Sequence, residues 1–75
     1  MMDGTNGGVF RATVVDVGDP EQRGRIRIAR AAGDPVWAEV LVTGAPPLAT
    51  GATVIVANEG GDPMRPIVLG ALASG

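Results

Sequence analysis

From Val9 to Val17 no glycine or proline interrupts the chain, and β-branched residues dominate it. Phe10, Ala12 and Val14 share one parity while Arg11 and Thr13 take the other, which predicts a half-buried strand. Val15 and Val17 then reverse the alternation. A phase change of that kind predicts a strand that bends at a bulge and changes which face it buries. Arg25-Ile26-Arg27-Ile28-Ala29 alternates cleanly, so Ile26 and Ile28 point inward and the arginines into water. These two strands, joined by the loop that starts at Gly18, should form an antiparallel hairpin. Val36 to Val42 reads as a two-sided third strand. With Glu39 toward solvent, Ala38, Val40 and Val42 face the core, and Trp37 and Leu41 share Glu39's face. Thr53 to Ala57 is an apolar fourth strand, and Ile67-Val68-Leu69 is the closing one. No segment reads as a helix.

The breaks between these runs share one turn chemistry. Gly-Asp-Pro occurs at Gly18-Asp19-Pro20, Gly33-Asp34-Pro35 and Gly61-Asp62-Pro63. Proline presets φ for the second turn position, and the aspartate can hold the turn with its side chain. Pro66 stands where a missing N–H harms a ladder least, at the first residue of the closing strand. Gly24, Gly51, Gly61 and Gly70 read as turn or bulge positions needing unusual φ, with Gly70 also stopping the last strand. Residues 43–51 are irregular and too proline-rich for a helix interior. Residues 1–8 read as a flexible leader and 9–75 as one domain. Five short strands and two long hairpin arms predict an all-β fold, a small five-stranded Greek-key barrel of the OB type.

Composition adds a constraint on stability. At 75 residues, with no cysteine or histidine, the chain has neither disulfide nor zinc to reinforce a small core. Association with further subunits is the remaining common route. The formal net charge is −2, from six basic and eight acidic residues, which is no footprint for nucleic acid or an anionic membrane. No apolar run is long enough to span a bilayer, and the N-terminus lacks the pattern of a signal peptide, so synthesis in the cytoplasm is expected.

The catalytic inventory is thin. Histidine, cysteine and tyrosine are all missing, and with them the commonest general bases and nucleophiles. The carboxylates fall mostly in turns, where each has a conformational role. The chain therefore reads as a non-enzyme without cofactor or metal. Arg23, Arg25, Arg27 and Arg30 form a basic stripe, but the only aromatic residues are Phe10 and Trp37, too few for a base-stacking platform. The stripe reads as solvated or facing a subunit. Phe10 reads as core. Trp37 admits two readings, a barrel residue or an interface anchor.

Four spaced motifs carry a family resemblance. Asp16-Val17-Gly18-Asp19-Pro20-Glu21-Gln22-Arg23-Gly24-Arg25-Ile26-Arg27-Ile28 resembles the opening of the OB domain of phage baseplate assembly protein V and tail-spike hubs, shared with the Vgr spike proteins of type VI secretion. Val36-Trp37-Ala38-Glu39-Val40 and Thr50-Gly51-Ala52-Thr53-Val54-Ile55-Val56-Ala57 are similar to two of its strands. Gly60-Gly61-Asp62-Pro63-Met64-Arg65-Pro66-Ile67-Val68-Leu69-Gly70-Ala71-Leu72 resembles its closing motif and is the most specific of the four. The segment between Val42 and Gly51 is shorter than the family's and lacks its glycine-rich insert. Only the OB module is represented, which fits a minimal self-standing hub or one domain of a longer chain.

The resemblance implies a structural adaptor at the tip of a phage tail or contractile injection system, joining tail tube to spike as a homotrimer. Its family-motif turns are Asp19, Pro20, Gly24, Asp62, Pro63 and Gly70. The candidate subunit or partner interface is Trp37, Leu41, Ile67 and Leu69, with Arg25 and Arg27. The alternative is an OB binding module for single-stranded nucleic acid or oligosaccharide.

Overall fold

The computed structural model describes residues 8–31, 33–42 and 48–73. The expected leader, apart from Gly8, and residues 43–47 of the irregular stretch lie outside them. Five strands follow in chain order: β1 (Val9–Asp16), β2 (Ile26–Ala29), β3 (Val36–Val40), β4 (Thr53–Asn58) and β5 (Pro66–Ala71). A single 3₁₀ turn, Glu59–Gly61, joins the last two. The sheet closes in the order β1-β2-β3-β5-β4, so β4 returns to lie beside β1 and β5 fills the gap to β3. Every pairing is antiparallel except β3 with β5. This is the expected five-stranded OB-type barrel.

Period-two alternation explains the core. Ala12 and Val14 from β1, Ile26 and Ile28 from β2, Ala38 from β3, Val54 and Val56 from β4, and Val68 from β5 are all buried. Phe10, Val36 and Val40 pack against that cluster. Branched aliphatics suit a barrel this narrow, because they fill its interior in few rotamers.

The expected bulge occurs in β1 between Val14 and Asp16. The buried face, however, does not switch. Val15 and Val17 are exposed, because past the bulge β1 meets β2 only at Asp16 opposite Arg27 and then leaves the barrel wall. Val42 is likewise fully exposed rather than in the core. β3 ends at Val40, and its last ladder bond runs from the Leu41 N–H to the Val68 carbonyl at 3.1 Å. Alternation loses its meaning where pairing stops. Gly70 does not end β5 either. It pairs with Ile55 inside the strand, outside the left-handed region, and the register shift leaves its neighbour Leu69 as the extra residue.

Gly24 does need its glycine. Its φ is +78°, and a Cβ there would meet nothing within 4 Å, so the penalty for a side chain is purely conformational. Gly24→Ala is expected to destabilise the domain by about 1 kcal/mol, read as a lower urea midpoint with unchanged slope. An unchanged midpoint would show that the loop can flatten at no cost.

Candidate functional site

The loop between β1 and β2 is built around one carboxylate. Pro20 and Glu21 occupy the centre of a turn closed by the Gln22 N–H donating to the Asp19 carbonyl at 2.9 Å. The Asp19 side chain then accepts the backbone N–H groups of Glu21 (2.9 Å), Arg23 (3.1 Å) and Arg25 (3.1 Å). Arg25 adds a two-pronged contact, Nε to Oδ2 at 2.9 Å and Nη2 to Oδ1 at 3.0 Å. The carboxylate can lie at the centre because Gln22, at φ +55°, and Gly24 turn the chain back on itself. Only 3% of the Asp19 side chain is exposed, and 21% of that of Arg25.

The Arg25 guanidinium holds the Asp19 carboxyl well below its usual range, and the three backbone N–H groups act in the same direction against burial. Pairing with Asp19 raises Arg25 in turn. Arg25 was expected in water. It is instead clamped, because its guanidinium satisfies a carboxylate that would otherwise be buried without a counter-charge.

That clamp aims Arg25 at Trp37. The guanidinium carbon lies 5.8 Å from the centre of the indole, a cation–π distance. Trp37 lies outside the barrel core, half-buried on the outer face of β3 and opposite Arg27 of β2. Across the other edge of β3, Glu39 pairs with Ile67. Alternation therefore sets Arg27, Trp37, Glu39 and Ile67 on one outer face of the β2–β3–β5 sheet, and Arg25 lines a cleft there with Trp37 and Ile67. Leu41 is 50% exposed and Leu69 37%. Both lie where alternation no longer fixes the face, Leu41 past the end of β3 and Leu69 at the β5 register shift.

The third Gly-Asp-Pro turn, Gly61-Asp62-Pro63, borders the same surface. Asp62 accepts the Met64 N–H on Oδ1 and the Arg65 N–H on its carbonyl, both at 2.9 Å. Glu59 and Arg65 also exchange a backbone bond (2.9 Å) and a side-chain contact (3.3 Å). The two turns flank a cleft of about 170 Å³ with Trp37 and Pro66 in its wall. Arg23 of the basic stripe also lines it, together with Glu59, Met64 and Arg65, which the sequence did not single out. Their signal was available: each sits within or beside one of the two turn motifs. Met64 is 71% exposed, and a flexible thioether suits an adaptable apolar contact.

The arginine stripe disperses in the structure. Arg25 is neutralised by Asp19, Arg23 lies 3.4 Å from Glu21, and Arg30 donates Nη1 to the Pro63 carbonyl at 2.7 Å. A dissociation constant weaker than about 10 µM is expected for a short single-stranded oligonucleotide at about 150 mM salt. Tighter binding in a fluorescence-anisotropy titration would mean that the groups bind phosphate despite their partners. Among the described residues no three potential metal ligands come together, and no helix is long and apolar enough to cross a membrane.

A closed five-stranded barrel in this strand order is the build of a small OB domain. The chain belongs to the type VI secretion system/phage-baseplate injector OB domain family, which it matches over residues 10–72, nearly all of the barrel. That family is one of structural injector parts rather than enzymes. No curated protein matches the chain.

Proposed function

We propose that this protein is a structural adaptor, a hub or spike-base component at the tip of a phage tail or contractile injection system. It joins tail tube to spike as a homotrimer, is made in the cytoplasm, and is built into the particle. The family match across the barrel carries this reading. The half-buried Trp37 and Ile67 on the outer face support it, because a small core without disulfide or metal gains from burying apolar side chains against another subunit. Its partners are tail-tube and spike proteins, with neither nucleic acid nor membrane among them.

The test is removal of the protein from the particle that contains it. Tubes that assemble without a terminal spike, restored by supplying the protein, are expected. Particles with intact spikes would exclude the adaptor role. In solution, mass-resolved sizing of the pure chain should show a trimer. No turnover belongs to this function. Pure protein should release no product from peptidoglycan or an ester panel, and release abolished by changing one carboxylate would contradict that.

A further inference from the structure

β1 is paired along its length on one side only. Val9 to Thr13 pair with β4, whereas pairing with β2 begins at Thr13, opposite Ala29. The Val14 N–H donates to the Ala52 carbonyl (2.9 Å), and the Val14 carbonyl accepts from the Gly51 N–H (2.8 Å), so both groups point to the β4 side. Alternation sends those of Phe10 and Ala12 the same way and turns those of Val9 and Arg11 outward, past the end of β2. Among the described residues no strand stands there. The N-terminal half of β1 is an open edge in an otherwise closed barrel.

The surroundings of that edge are cationic. A depression of about 340 Å³ beside it is lined by Arg11 and Arg30, with Thr13 and Thr53, and by no carboxylate. Arg11 takes part in none of the ion pairs among the described residues. Arg30 uses Nη1 on Pro63, and its Nε is buried without a partner. A charge on a free edge normally discourages strand pairing. Toward an acidic strand the same charge is attractive.

We propose that this edge receives an extended acidic peptide segment of a partner protein by strand addition. The segment's backbone pairs with the N–H and C=O groups of Val9 and Arg11, and a carboxylate at an alternate position faces Arg11 and Arg30. Backbone pairing supplies the affinity, and the two arginines select for acid. The site lies on β1, at an edge that includes neither Trp37 nor its neighbours on β3 and β5.

Amide hydrogen exchange by NMR on the full chain tests it, with a capped octapeptide alternating valine and glutamate as probe. Saturating peptide should slow exchange at Val9 and Arg11 by about tenfold or more. The same peptide N-methylated at alternate residues should not. Arg11→Glu should abolish the protection and Arg11→Gln weaken it; Arg11 is exposed, and unchanged melting curves check that both variants fold. Four results would each overturn the proposal: Val9 and Arg11 amides already protected in the free protein, no slowing at millimolar peptide, equal protection by the N-methylated peptide, or the same protection from oligothymidylate.

Discussion

Asp19→Ala is expected to lower the thermal midpoint at neutral pH by on the order of 10 °C, a large shift for a domain this small. The substitution removes the acceptor of three backbone N–H groups and of the Arg25 fork, leaving a half-buried guanidinium with only the exposed Glu21 carboxylate, 3.7 Å away, as ion-pair partner. Asp19→Asn should be nearly as damaging despite its matching shape, because an amide offers one acceptor and sets its own NH₂ against the Arg25 donors.

The same carboxylate predicts an acid dependence. Its folded-state pKa is depressed below the ordinary 3.8. Its contribution is therefore complete above 3.8 and is lost progressively as pH falls below that value toward the folded-state pKa. Melting the wild type and Asp19→Ala at about pH 7 and about pH 3 should show the gap between them narrowing in acid. A constant gap would mean that Asp19 acts by shape alone.

Trp37→Ala is expected to weaken self-association by about 2 kcal/mol, about 30-fold in the association constant, while the monomer keeps its fold. The indole lies outside the buried cluster, so its removal opens no cavity in the barrel. It does remove the largest apolar group from a face that also carries Ile67. Melting should become more concentration-dependent in the variant, and sedimentation should show dissociation at higher protein concentration. A wild type that stays monomeric at high concentration, yet melts cooperatively at an ordinary temperature, would show that the core suffices alone. Attachment to the particle would then rest on partner proteins.

Much of the barrel was legible because two-residue periodicity and turn chemistry are local signals. The clean alternation of Arg25 to Ala29 located β2 and its inward isoleucines, and the parity break after Val14 located a bulge. Two of the three Asp-Pro turns read from the chain close with a backbone hydrogen bond, at Gln22 and at Arg65. The candidate site was legible as a set of parities on β3 and β5. Its surroundings were not. Arg23, Glu59, Met64 and Arg65 join Trp37 only because strand order places two turns, distant in sequence, on either side of β3.

By itself the sequence determined which residues alternate, where the chain must turn, and that histidine, cysteine and tyrosine are missing. Tertiary structure decided which parity is covered and for how far. Val15, Val17 and Val42 continue apolar patterns but are exposed, because a side chain is buried only where a neighbouring strand closes over it. It also decided that Asp19 is a hub rather than a turn former alone. Six residues separate Asp19 from Arg25, and their contact exists only once Gln22 and Gly24 adopt left-handed backbone and fold the loop over itself. The edge of β1 is decided at the same level: β1 is long and β2 short, so among the described residues no strand pairs with the excess.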